Sequence, residues 1–393
     1  MKHCTIILII SLLFATLSTA AEPPQKIRLY VGTYTGNGEK DSKGIYTSEL
    51  DLKNGSLSQP KLVAECASPA FLAVHPNKPL MYAVGEVWGG NRQEGSVYSF
   101  AIDEKTGDLK QLNTETVPGN GPCHLCVATS IDGAKAAVVV ACYGGGTVAL
   151  LPVLEDGKLG KFVSSIKHEG ELGPNKRRQE APHPHGAYYP RKRDVILVPD
   201  LGLDSVLVYQ LDFDPPKLSA KTFQGEKIVI KCPPGTGPRH LAEHPSLDTN
   251  CVFVVNELDS TVGIIPGDEN MPTFSTLPEG VTPESCENTT AEIMVHPNGK
   301  FVYASNRGHD SIAVFQFDAT AAPNKALTQI QVEPCGGKEP RSFCIDPTGQ
   351  YMVVGHQKSG TVGVLKIDPN TGKLSQTDHK IEIPQAVCII PIN

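Results

Sequence analysis

The amino-acid sequence predicts an all-β protein whose chain closes seven repeated units into a ring. Three observations predict it. The 393 residues include 37 glycines and 32 prolines, a density of turn formers that long helices do not accept, because glycine loosens a helix and proline removes a backbone donor. A short apolar run ending in a turn recurs seven times along the chain. Most copies keep the same company, an apolar strand before and one or two after. Four short strands in a unit of about 50 residues are the signature of a propeller blade.

The recurring run reads Leu29 to Tyr34, Met81 to Glu86, Val138 to Tyr143, Ile196 to Leu201, Val252 to Glu257, Val302 to Arg307 and Tyr351 to His356. Its last residues are spaced by 52, 57, 58, 56, 50 and 49. Before it lies a strand ending in a turn, as at His75-Pro76, His244-Pro245, His296-Pro297 and Asp346-Pro347. After it comes a third strand, such as Ser205 to Tyr209 or Ser311 to Phe315, and a fourth that often opens on Asp-x-x-x-Gly-x-Leu, as in Asp103 to Leu109. The first unit lacks its preceding strand, and Gln385 to Ile390 forms an orphan one. Pairing the two ends in one blade closes the ring and hides a sheet edge. Residues 22–393 are therefore expected to form a single seven-bladed β-propeller of four-stranded blades.

Residues 1–21 read as a secretory signal peptide: a basic head at Lys2 and His3, an apolar stretch from Thr5 to Leu17, and a small-x-small cleavage site at Ser18 to Ala20. An exported protein, periplasmic or secreted, is expected. Ten cysteines follow the leader, and the sequence leaves their pairing open. Cys126, Cys142, Cys344 and Cys388 sit inside apolar runs, where cysteine acts as a small hydrophobe. A net charge of −7 and 6% aromatic content argue against nucleic-acid binding, which needs clustered cations. Beyond the leader no apolar run is long enough to span a bilayer. A monomer is expected.

In a propeller, the loops entering the innermost strands face the central channel. Aligned there, the repeats give Phe71, His124, His185, His240, Glu292 and Ser342, preceded by Ala70, Cys123, Pro184, Arg239, Ala291 and Arg341. The ends of the next strands give Tyr34, Glu86, Tyr143, Leu201, Glu257, Arg307 and His356. In register around a ring, these His, Arg and Glu side chains converge on a polar mouth able to bind an anion beside a general base. Lys176-Arg177-Arg178, set among Glu169, Glu171 and Glu180, reads as a solvated loop. No fixed close spacing of metal ligands appears, so neither a metal nor a cofactor is expected.

These residues sit in a string of motifs: Ala181-Pro-His-Pro-His-Gly186, Val198-Pro-Asp-Leu-Gly202, Gly237-Pro-Arg-His240, Val255-Asn-Glu-Leu258, Ser305-Asn-Arg-Gly308 and Glu339-Pro-Arg-Ser342. In this order they resemble the lactonase family of seven-bladed propellers, which includes the propeller-type 6-phosphogluconolactonases and the fungal carboxymuconate cycloisomerases. The resemblance implies an active site of His185, Arg239, Glu257 and Arg307, and the aligned columns add His124, His240, Glu86, Arg341 and His356 as substrate-binding candidates. It implies a metal-independent hydrolase opening a small, anionic, sugar-type lactone, as 6-phosphogluconolactonases do. His185 or Glu257 would activate water, while Arg239 and Arg307 hold the anion or the developing oxyanion. A cycloisomerase, or an exported binding propeller without activity, are the alternatives.

Overall fold

The computed structural model describes residues 25–36, 38, 41–87, 94–190, 195–246, 251–265 and 271–392. The leader expected at residues 1–21 lies outside them. Seven blades surround a central channel. Blade 2 runs outward through Pro69–Val74, Leu80–Gly85, Glu94–Ile102 and Leu109–Pro118. Blades 3, 5, 6 and 7 repeat this order from Pro122–Thr129, Pro238–Glu243, Thr289–Val295 and Pro340–Ile345 as their inner strands. Blade 1 takes its inner strand, Ala386–Ile392, from the other end of the chain, and that strand pairs antiparallel with Lys26–Thr33. The ring closes as the sequence predicts.

Blade 4 departs from regularity at both edges. Its inner segment is held to Ile196–Asp200 by isolated bridges at Pro184–Asp200 and Tyr188–Leu197. Its outer edge is split between Pro216–Ala220 and Val229–Lys231, which pair with successive parts of Ser205–Phe213.

The recurring apolar run is the second strand of each blade, and the packing explains why it does not alternate. Both its faces are buried. Val138, Val140 and Cys142 pack toward blade 2, among Tyr82 and Val84, whereas Val139 and Ala141 pack toward blade 4, among Ile196 and Val198. A strand sandwiched between two sheets reads as a continuous hydrophobic run. Each such side chain contributes roughly 1.5–3 kcal/mol by leaving water.

A second recurring device rivets four pairs of neighbouring blades at the end of the strands away from the mouth. Tyr30, Tyr82 and Tyr303 donate their hydroxyls to the carbonyls of Gly107, Gly157 and Gly372 in the following blade's outer turn. His244 and His296 bond the carbonyls of Gly299 and Gly349 likewise, giving the His-Pro turns their structural role. The glycine of the Asp-x-x-x-Gly turn is required twice over: Gly372 has φ of 71°, and a Cβ there would lie 2.4 Å from the Phe301 ring. Tyr303→Phe is expected to lower unfolding free energy by about 1–2 kcal/mol, the cost of a buried carbonyl left unpaired. Urea denaturation checks this, with turnover expected to stay at the parent value.

The ten cysteines among the described residues are all free. No helix among the described residues is long and apolar enough to cross a membrane.

Candidate active site

One irregularity, repeated in every blade, builds the site. The inner strand opens on a residue paired with the second strand, and the next residue forms a β-bulge before pairing resumes. Pro122 faces Cys142 and His124 faces Ala141, leaving Cys123 unpaired between them. Pro69, Pro238 and Pro340 precede bulges at Ala70, Arg239 and Arg341 in the same way. A bulge re-aims a side chain. The bulged residues Cys123, Arg239 and Arg341 turn toward the mouth or the wall behind it, while residues that directly follow a bulge, Phe71, His124, Ser342 and Cys388, turn down the channel.

The same count corrects the alignment at two places. In blade 4, Pro184 faces Asp200 and Tyr188 faces Leu197, which makes His185 the bulged residue. His185 therefore belongs with Cys123, Arg239 and Arg341, and not with His124 and His240. In blade 7, Pro340 faces His356, so Gln357 rather than His356 is the counterpart of Glu86, Tyr143 and Glu257. The structure agrees: Gln357 lines the mouth. His356 turns into the blade and bonds the Cys335 carbonyl at 2.9 Å and Thr361 Oγ1 at 3.2 Å.

The mouth holds a pocket of about 540 Å³, lined by Tyr34, Glu86, Cys123, Tyr143, Arg178, His185, Glu257, Thr289, Arg307, Arg341 and Gln357. Its volume suits a small-molecule ligand. At its centre stands Glu257. Its Oε2 lies 2.9 Å from Arg239 Nε and 3.2 Å from Arg307 Nη2, and its Oε1 accepts a hydrogen bond from Arg178 Nη2 at 2.6 Å. Burial alone raises this carboxyl's pKa, but the guanidiniums of Arg307, Arg239 and Arg178 overcome it and hold the group ionised, well below the usual carboxylate range.

His185 Nε2 lies 3.8 Å from Glu257 Oε2, and its Nδ1 lies 3.8 Å from Cys123 Sγ. Burial, then the positive charge of Arg239, lowers its pKa well below the ordinary histidine value, so the imidazole is neutral at neutral pH. Burial pushes the Cys123 thiol upward, keeping it a thiol.

A second polar chain crosses blades 7, 1 and 2. Arg341 Nη2 donates to the Tyr34 hydroxyl, which donates in turn to Glu86 Oε2, each at 2.8 Å. Both Glu86 and Arg341 thus reach the mouth.

His124 and His240 do not. They plug the channel below the pocket, His124 stacked on Phe71 with ring centres 3.8 Å apart and His240 against both. His240 Nδ1 lies 3.0 Å from Glu292 Oε1, and its Nε2 is 3.2 Å from Arg239 Nη1. Arg239 is only 2% exposed and stands behind Glu257 as its support. Among the described residues no three His, Cys, Asp or Glu side chains gather as a metal site.

Sequence reasoning missed Arg178, Tyr34, Tyr143 and Gln357. Tyr34 and Tyr143 stand in the aligned strand ends, where a search for charged groups does not single them out. Arg178 corrects the reading of its segment as a solvated loop: Lys176 and Arg177 are exposed, but Arg178 turns inward to Glu257.

The ring and the chemistry at its mouth place the protein among the propeller-type lactonases. The chain belongs to the family described as "Lactonase, 7-bladed beta-propeller", whose profile matches residues 28–391. It is 34% identical over 366 residues to the 6-phosphogluconolactonase of Bacillus subtilis, covering 92% of this chain and 97% of that protein. A crystal structure from Bacteroides fragilis superposes with a TM-score of 0.81 at 29% identity, covering 95% of this chain and all of that one. The periplasmic gluconolactonase of Pseudomonas aeruginosa superposes with a TM-score of 0.79 at 26% identity, covering 94% of this chain and 99% of the other.

Proposed function

We propose that the protein hydrolyses a sugar-type lactone, with His185 as the general base. The observation that carries the assignment is the contrast between two neighbouring groups. Glu257 stands against the buried guanidiniums of Arg239 and Arg307, whose two positive charges stabilise the carboxylate and make it a poor proton acceptor even apart from Arg178. His185, neutral and on the pocket wall, is held at its two ring nitrogens only by 3.8 Å contacts to Glu257 and Cys123, and it takes a proton from water as the water attacks the ring carbonyl. Arg307, also on the wall, faces the carbonyl oxygen as it becomes an oxyanion. Arg239 holds Glu257 in place, and the Glu257 charge steadies the imidazolium that forms 3.8 Å away. The Arg341–Tyr34–Glu86 chain contacts substrate hydroxyls. The leader makes this an exported enzyme.

The reading is tested by incubating purified protein with gluconolactone, its 6-phosphate and a carboxymuconolactone while following acid release at constant pH. Lactone opening with incorporation of water supports it. Isomerisation to an unsaturated acid without water identifies a cycloisomerase instead, and no reaction on any of the three defeats the enzyme reading.

The pH profile follows from the lowered pKa of His185. A base must be unprotonated, so kcat/KM should be level from about pH 6.5 to 8 and fall only below the ordinary histidine value of about 6.5. An acid limb centred at or above that value would remove His185 from the role.

A further inference from the structure

Residues 168–183 join blade 3 to blade 4 and contain no helix or strand. Long connections without regular structure in a compact fold are commonly functional. This one is pinned along its length. His168 Nδ1 meets Asp200 Oδ2 at 2.6 Å with both side chains fully buried. The Gly173 amide donates to the Gly202 carbonyl at 2.9 Å. Buried Gln179 accepts from the Asn175 amide at 3.0 Å and donates to the Leu201 carbonyl at 2.9 Å. His183 stacks on Tyr143 with ring centres 4.2 Å apart and planes 12° apart. The packing admits no side chain at the glycines: a Cβ on Gly202 would lie 1.8 Å from the Ala181 carbonyl oxygen, and one on Gly173 would lie 2.1 Å from the Gln179 amide.

All this brings one cation to the pocket. Arg178 Nη2 reaches Glu257 at 2.6 Å and the Tyr143 hydroxyl at 3.3 Å. Its side chain is 38% exposed, against 2% for Arg239 and 10% for Arg307. The buried pair already compensates the single charge of Glu257. Of the three arginines around Glu257, Arg178 is the surplus cation and the one that faces solvent, so it can exchange the Glu257 oxygen for an oxygen of an incoming anion while the carboxylate keeps two arginines. A planar guanidinium suits phosphate or carboxylate through paired charge-assisted bonds.

We propose that Arg178 is the specificity residue of this pocket, binding the phosphate or carboxylate that an acidic lactone carries away from its ring ester and letting go of Glu257 as it does so. The proposal rests on the lactone reading above and names the substrate class it leaves open.

The test compares wild type, Arg178→Ala and Arg178→Lys on 6-phosphogluconolactone and on gluconolactone. In Arg178→Ala the kcat/KM ratio of the phosphorylated to the neutral lactone should fall at least tenfold, mainly through KM, with partial recovery in Arg178→Lys. A proportional loss on both lactones, or no loss, overturns the proposal and leaves Arg178 as a prop for Glu257. Calorimetric titration of the open-chain acids keeps the test separate from turnover. Wild type should bind 6-phosphogluconate at least tenfold more tightly than gluconate, and Arg178→Ala should lose that preference. Equal affinities in wild type overturn the proposal even where turnover is seen, whereas the expected preference without any turnover defeats the lactone reading and keeps Arg178 as an anion site.

Discussion

Replacing Glu257 by alanine is expected to lower the free energy of unfolding by about 3–5 kcal/mol and to abolish measurable turnover. The magnitude is that of removing one partner from a buried ion pair, which strands the other charge. Here the stranded charges are Arg239 and Arg307, which stand almost out of water beside each other. Glu257→Gln should move in the same direction, since an amide fills the space without neutralising either guanidinium. A pH series distinguishes charge from shape. A carboxyl whose folded pKa lies below its unfolded value stabilises the protein above the unfolded value and loses that contribution as pH falls toward the folded one. The gap between wild type and Glu257→Gln in urea denaturation should therefore be full at neutral pH and close only in strong acid. A gap of equal size at every pH would mean that packing, and not charge, is what Glu257 supplies.

His185→Ala is the counterpart, large in rate and small in stability. Loss of a positioned proton acceptor costs about 10²–10⁴-fold in rate, and kcat/KM should fall by that range. The fold should be indifferent, because the equivalent bulge positions in blades 2 and 6 are already alanine, Ala70 and Ala291. The imidazole's polar side-chain contacts, to Glu257 and Cys123, are long at 3.8 Å each. Unchanged denaturation with a collapsed rate is the expected pair of results. A variant retaining the wild-type rate would return the proton-accepting role to another group.

Most of this arrangement was legible in the chain, and the exceptions have physical causes. A strand buried on both faces leaves a continuous apolar run, so the blades could be counted, and the missing first strand announced the closure. Residues in register around a ring could be aligned, which gathered Glu86, Arg239, Glu257, Arg307 and Arg341. Alignment by motif does not see a bulge, however, and a slip of one residue reverses the side of a strand on which a side chain lies. That slip admitted His356 in place of Gln357, and grouped His185 with two histidines that lie below the pocket. Arg178 was hidden for another reason. Its position is set by contacts with Asp200, Leu201 and Gly202 in a neighbouring segment, and no periodicity within the loop reports them.

The rivets from tyrosine and histidine to glycine lie at the end of the strands opposite the pocket. These inter-blade bonds are consequently independent of the residues that line the mouth. Mouth positions such as Thr289 and Gln357 can be rewritten without loosening a blade junction, and the bulged positions already range from valine at Val387 to arginine at Arg341. A lineage built on this scaffold can change what it recognises before it must repair what holds it together, which makes the ring a permissive starting point for directed evolution toward new ligands.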